Sequence, residues 1–138
     1  MRHTTIPAAA AVLIALAVVS ACGSDSSESG SGTPDRAIAT FQVEAETFKV
    51  ELITADLIAN AQALLDGQEA PSIPVGKVVR DDPGPNSPWS WHIDPATVEF
   101  ADMTTEVCDG LPSFEEEGII TSDIYCPWGA ELIALDPL

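Results

Sequence analysis

Positive charge is scarce in this chain. Its 138 residues hold five Lys and Arg against 22 Asp and Glu, a formal net charge of −17. Every acidic residue follows Cys22, and beyond that point only Arg36, Lys49, Lys77 and Arg80 oppose them. A surface so acidic is repelled by phosphate backbones and anionic lipid headgroups, which argues against nucleic acid as a partner. It attracts cations and basic partners, and it also keeps an exported domain in solution.

Long apolar runs are short of membrane-spanning length. The run from Ile6 to Val19 is about 14 residues, against the ~20 that a helix needs to cross a bilayer. Histidine is nearly absent: after His3 there is only His92. No CxxC, no His-containing zinc spacing, no EF-hand pattern and no GxSxG elbow is present. No cofactor is expected.

What is there begins with an address. Arg2 and His3 precede the apolar run, so residues 1–21 read as a signal peptide. Val19-Ser20-Ala21-Cys22 resembles a lipobox, in which small residues suit the lipoprotein signal peptidase and the Cys thiol takes a diacylglyceryl group. Cys22 is the expected lipidation site, carrying palmitate-type chains, and two or more chains anchor stably. The expected product is a lipoprotein on the extracytoplasmic face of the cell membrane. Gly23 to Thr33 holds Gly, Ser, Asp, Glu and a final Thr with no apolar side chain, so residues 22–36 read as a lipidated, flexible tether. Residues 37–138 are then a single domain.

Three cysteines are odd in number for an oxidising compartment, and lipidation of Cys22 resolves the parity. Cys108 and Cys126 are expected to pair as a disulfide closing a loop of about 18 residues, a constraint of roughly 3 kcal/mol. The rival roles, a nucleophilic thiol or a metal ligand, lack supporting spacing.

Ala39–Glu44 and Thr47–Thr54 alternate with period two, placing Phe41 and Val43, then Phe48, Val50 and Leu52, on one face. With Ala45-Glu46 as the link they predict a β-hairpin. Thr54 is a plausible N-cap for a helix with Leu57, Ile58, Ala61, Leu64 and Leu65 as its apolar stripe and Gly67 as its stop. Val75–Arg80 and Trp89–Ile93 predict strands around a Pro-rich loop at 81–88. Thr97–Val107 favours strand by its β-branched residues, Ser113 is a possible cap for an acidic helix ending at Gly118, and Ala130–Leu135 is a last strand. The sum is a small α+β domain with a mostly antiparallel sheet, one main helix on a face and one disulfide.

Chemistry-bearing residues concentrate in Asn86–Pro95. As a strand, Trp89, Trp91 and Ile93 would share one face, and Ser90, His92 and Asp94 the other. A hydrolase using His92 and Asp94 is one alternative, but residues two apart project in parallel about 7 Å apart, which is not a nucleophile–base–orienter array. The plain reading of His92 is a half-buried ring bonded to Asp94 or a backbone carbonyl. Trp89, Trp91 and Trp128 could form an aromatic ligand platform together with His92 and Asp94, or simply cap a small core near the disulfide. Asp81, Asp82 and Asn86 could supply some of the oxygens that calcium needs, which makes a calcium-dependent adhesion module a second alternative. The plain reading of Asp81-Asp82 and Glu115-Glu116-Glu117 is a solvated charged face.

Three segments together resemble a known family: Pro88-Trp89-Ser90-Trp91-His92-Ile93-Asp94-Pro95, then Glu106-Val107-Cys108-Asp109-Gly110, then Cys126-Pro127-Trp128-Gly129. The opening Phe41-x-Val43 and Phe48-x-Val50-x-Leu52 followed by a helix fits as well. They are similar to the domain family named after the N-terminal domain of a slime-mould calmodulin-binding protein, which includes small secreted bacterial proteins. The resemblance covers about residues 38–136 and implies a shared fold and the Cys108–Cys126 pair. It supplies no catalytic residue, and it does not imply calmodulin binding outside the cytoplasm. The leading expectation is a non-enzymatic, membrane-tethered module that binds a protein or small molecule through the Trp89–Asp94 strand and the Cys126–Gly129 turn.

Overall fold

The computed structural model describes Gly32 and residues 34–138. The leader, Cys22 and most of the tether lie outside the described residues. Among the described residues, no helix is long and apolar enough to cross a membrane.

The domain is α+β. Seven strands are present: β1 (Ala37–Val43), β2 (Glu46–Leu52), β3 (Ile73–Val79), β4 (His92–Ile93), β5 (Glu99–Ala101), β6 (Ile124–Tyr125) and β7 (Glu131–Pro137). The helices are α1 (Ala55–Leu65) and the short α2 (Pro112–Glu116), with 3-10 turns at Pro95–Thr97 and Glu106–Cys108.

The hairpin forms with the expected faces. Phe41 pairs with Phe48 and Ala39 with Val50, so the apolar sets of both strands fall on one side. The connecting turn is Glu44-Ala45, one residue earlier than expected, with Glu44 in the left-handed region at φ 54°. β7 pairs antiparallel with the other edge of β1, giving the order β2-β1-β7. α1 begins at Thr54, whose Oγ1 accepts the Leu57 N–H, and Gly67 follows its end at φ 74°. It buries Ile58 and Ala61 and packs against β7 and β5.

The second sheet is built around β3. Val78 and Val79 pair with Ile93 and His92, Ile73–Val75 pair with Glu99–Ala101, and Gly76 and Lys77 pair with Tyr125 and Ile124, all antiparallel. Lys77 bonds to Asp94 and Thr97, while the next residue, Val78, donates to Asp123. Since successive residues of a strand turn their backbone groups to opposite edges, residues 92–101 run along one edge of β3 and β6 along the other. The close approach at this crossing needs a glycine: a Cβ on Gly76 would collide with Cγ2 of Ile93.

Two expected strands are largely replaced. Trp89–Ile93 is strand only at His92–Ile93, and Thr97–Val107 is strand only at Glu99–Ala101. Pro88 and Pro95 flank the first and a 3-10 turn opens the second, so ladder pairing cannot extend. Nor does Ser113 cap α2. Leu111 holds the N-cap position without a side-chain bond, and Glu46 of the hairpin accepts the Ser113 N–H at 2.8 Å.

Both sheets face one core. Its centre is aromatic: Phe41 stacks on Phe48 at 5.4 Å, and Tyr125 meets Phe48 and Trp91 edge-on, each at 5.3 Å. Such pairs add about 0.5–1.5 kcal/mol beyond burial of their area. A smaller cluster of Ile73, Cys108 and Cys126 lies beside it. The Cys108–Cys126 disulfide spans 18 positions with Cα atoms 5.0 Å apart, joining the 3-10 turn to the end of β6.

Candidate functional site

The Asn86–Asp94 run is spent largely on architecture. β2 is an edge strand, and an unpaired edge exposes alternate N–H and C=O groups. Asn86, 1% exposed, closes that edge. Its Oδ1 accepts the Lys49 N–H at 2.7 Å, and its Nδ2 donates to the Trp91 carbonyl at 2.9 Å. Two residues along the same edge, the Thr47 carbonyl accepts from Trp89 Nε1 at 2.8 Å. The loop is thus a strap fastened by one amide and one indole.

The three tryptophans do not converge. Trp89 is half-buried on the β2 edge, and Trp91 is a core residue, 2% exposed. Trp128 is 43% exposed, with its N–H held by Asp109 Oδ1 at 2.8 Å and its indole N–H by the Thr104 hydroxyl. It lines a separate pocket of about 150 Å³ with Ile73, Asp102, Met103 and Thr104.

The other expected site residues are similarly committed. His92 Nδ1 lies 2.7 Å from the Asp82 carbonyl, and its ring underlies Gly84, where a Cβ would come within 3.0 Å. Asp94 caps the 3-10 turn through the Ala96 N–H at 3.0 Å. The Ser90 hydroxyl donates to Glu116 at 3.0 Å. Ser90, His92 and Asp94 therefore serve three different partners, and no hydrolase array forms from them. The calcium grouping is corrected too. The side-chain oxygen of Asn86 is occupied by Lys49, and Asp82 Oδ1 accepts the Gly84 N–H at 3.0 Å. Among the described residues no group of three or more His, Cys, Asp or Glu could hold a metal ion.

A pocket of about 250 Å³ opens behind the strap, lined by Arg80, Asp81, Ser90, Trp91 and Glu115–Gly118. Of the residues first singled out as ligand-binding, only Trp91 reaches it. Arg80 follows β3 directly, and its guanidinium donates to Glu115 Oε2 at 2.6 Å and to the Ser122 carbonyl at 3.0 Å. Glu115, 3% exposed, shares the inward face of α2 with Pro112, three residues back. The charge run at 115–117 is therefore not a uniformly solvated face. Its first member is buried, and its second accepts both the N–H and the hydroxyl of Ser90. Burial holds the Glu115 carboxyl above the ordinary range, against the opposing pull of the Arg80 bond and charge.

Two atoms of this pocket have no partner within the protein: Trp91 Nε1 and Glu115 Oε1. One is a donor and the other an acceptor, and each is buried. An unmade bond at such a group costs about 1–3 kcal/mol. Sequence reasoning passed over Arg80 and Glu115. The available signal was the three-residue spacing of Pro112 and Glu115, which puts one glutamate of the three on the buried face.

No curated protein and no solved structure matches the chain. One family model matches residues 35–138, which spans every strand and helix described above. It is the model of the N-terminal-domain family that the tryptophan and cysteine segments resemble. By that match the chain belongs to the domain family named after the N-terminal domain of the slime-mould calmodulin-binding protein.

Proposed function

We propose that the protein is a lipid-anchored, extracytoplasmic binding domain, non-enzymatic, whose ligand enters the pocket between the strap and α2. Cys22 carries the acyl chains, residues 23–36 give reach, and the folded domain holds a protein or small-molecule partner. The anchor rests on the leader and on Val19–Cys22. The Cys108–Cys126 bond supports an address outside the cytosol, because structural disulfides persist in oxidising compartments.

The observation that carries the binding reading is the pair of buried, unpartnered polar atoms on Trp91 and Glu115. Native proteins satisfy nearly all such groups, and the exceptions cluster where something else completes them. A pocket with a few convergent polar groups is the default place to look for a ligand.

Two measurements test the two halves. Intact-mass analysis of the native protein should show a diacylglyceryl-modified Cys22 as the first residue, and an unmodified N-terminus overturns the anchor. A lysozyme-digested cell-envelope fraction should raise the melting temperature of the full chain but not that of Ser90→Trp, which fills the pocket mouth. Equal shifts in both proteins, or none in either, overturn the site.

A further inference from the structure

We propose that the pocket takes a neutral, hydroxyl-bearing group, such as one unit of a saccharide. This rests on reading the pocket as the binding site and names the ligand class. The demands of the two unpartnered atoms have opposite sense. Trp91 Nε1–H requires an acceptor, and Glu115 Oε1 requires a donor, its sister Oε2 being taken by Arg80.

Charge and bonding capacity then sort the candidate chemistries. A carboxylate or phosphate only accepts, and it would enter among Asp81, Glu115, Glu116 and Glu117 with Arg80 as the one opposing charge of the lining. An ammonium suits that charge but only donates, so it leaves the indole N–H unmet and faces its positive end. A hydroxyl accepts and donates through one oxygen. A sugar ring carries several, so one hydroxyl or two neighbours can meet both atoms. The volume of about 250 Å³ suits a single ring rather than a chain. Ser90 and Glu116 at the mouth add polar contacts of the same kind.

The test follows the indole N–H signals of the 15N-tryptophan-labelled full chain by NMR. Methyl α-D-glucopyranoside, propylamine, acetate and acetamide are titrated separately at matched millimolar concentrations. The expected result is a saturable shift of the Trp91 signal with the glycoside alone. The Trp89 signal, already bonded to Thr47, stays still, as does that of Trp128. Glu115→Gln, which keeps the side-chain shape but removes the charge, should weaken glycoside binding about tenfold. A Trp91 shift with propylamine, acetate or acetamide instead of the glycoside overturns the hydroxyl assignment and leaves the pocket as a site for that other chemistry. No Trp91 shift with any probe also overturns it, and the Ser90→Trp comparison then decides separately whether the pocket binds anything.

Discussion

Asn86 and Lys49 are 37 positions apart, and a 2.7 Å bond from the Lys49 N–H to the Asn86 side chain joins them across the edge of β2. The same amide donates to the Trp91 carbonyl, so one buried side chain ties the hairpin to the segment leading into β4. Asn86→Ala leaves a backbone donor and a backbone acceptor unpaired. The expected loss is about 2–4 kcal/mol of stability, read from urea unfolding. A loss within the ordinary range of a surface substitution would mean that the strap is not fastened there.

Glu115 gives the protein a pH dependence of definite sign. Its folded carboxyl is held above the ordinary value of 4.5, chiefly by burial. Below that value it is protonated in both states. As pH rises through it, the unfolded chain releases its proton first, so stability falls until the folded group also ionises. Other carboxyls titrate in the same window, so the quantity to measure is the stability of Glu115→Gln minus that of the parent. That difference should grow as pH rises above 4.5 and then level off. A flat or falling difference would contradict the burial of an ionisable group at this position.

Tyr125 acts at the alkaline end. Burial first, then the charges of Glu115, Glu46 and Asp109, hold its phenol above the ordinary value of 10.0. The folded chain keeps that proton after the unfolded chain has lost it, so the contribution is whole below 10.0 and is lost as pH rises beyond it. Tyr125→Phe should lose about 1 kcal/mol at neutral pH with its bond to the Gly110 carbonyl, and should show a shallower alkaline decline than the parent.

The disulfide should behave as a staple. Replacing Cys108 and Cys126 together by Ser should cost roughly 3 kcal/mol on the loop-entropy account, with the fold retained at low temperature. Circular dichroism and a thermal melt read both parts.

Local patterns were legible and distant partnerships were not. Phe41, Val43, Phe48, Val50 and Leu52 revealed their shared face because a hairpin buries alternate residues. Thr54 and Gly67 marked both ends of α1 because caps act within four residues. Cysteine parity and family resemblance both pointed to the Cys108–Cys126 pair. The cap of α2 was hidden because Glu46 reaches it from 67 positions away. The roles of Asn86 and Arg80 were hidden likewise, since each bonds to an element that sequence places far off. Trp91 kept its inward face, but alternation alone could not tell a core residue from a ligand platform.

The account turns on the strap: the Trp-rich run closes the edge of β2 and walls the pocket rather than presenting a binding face. Amide hydrogen exchange at Lys49 tests this most directly. The account predicts that the Lys49 N–H exchanges as slowly as the core amides of β1, and that Asn86→Ala accelerates it far more than it accelerates those amides. Rapid exchange at Lys49 in the unaltered protein, at the rate of an open sheet edge, would contradict it.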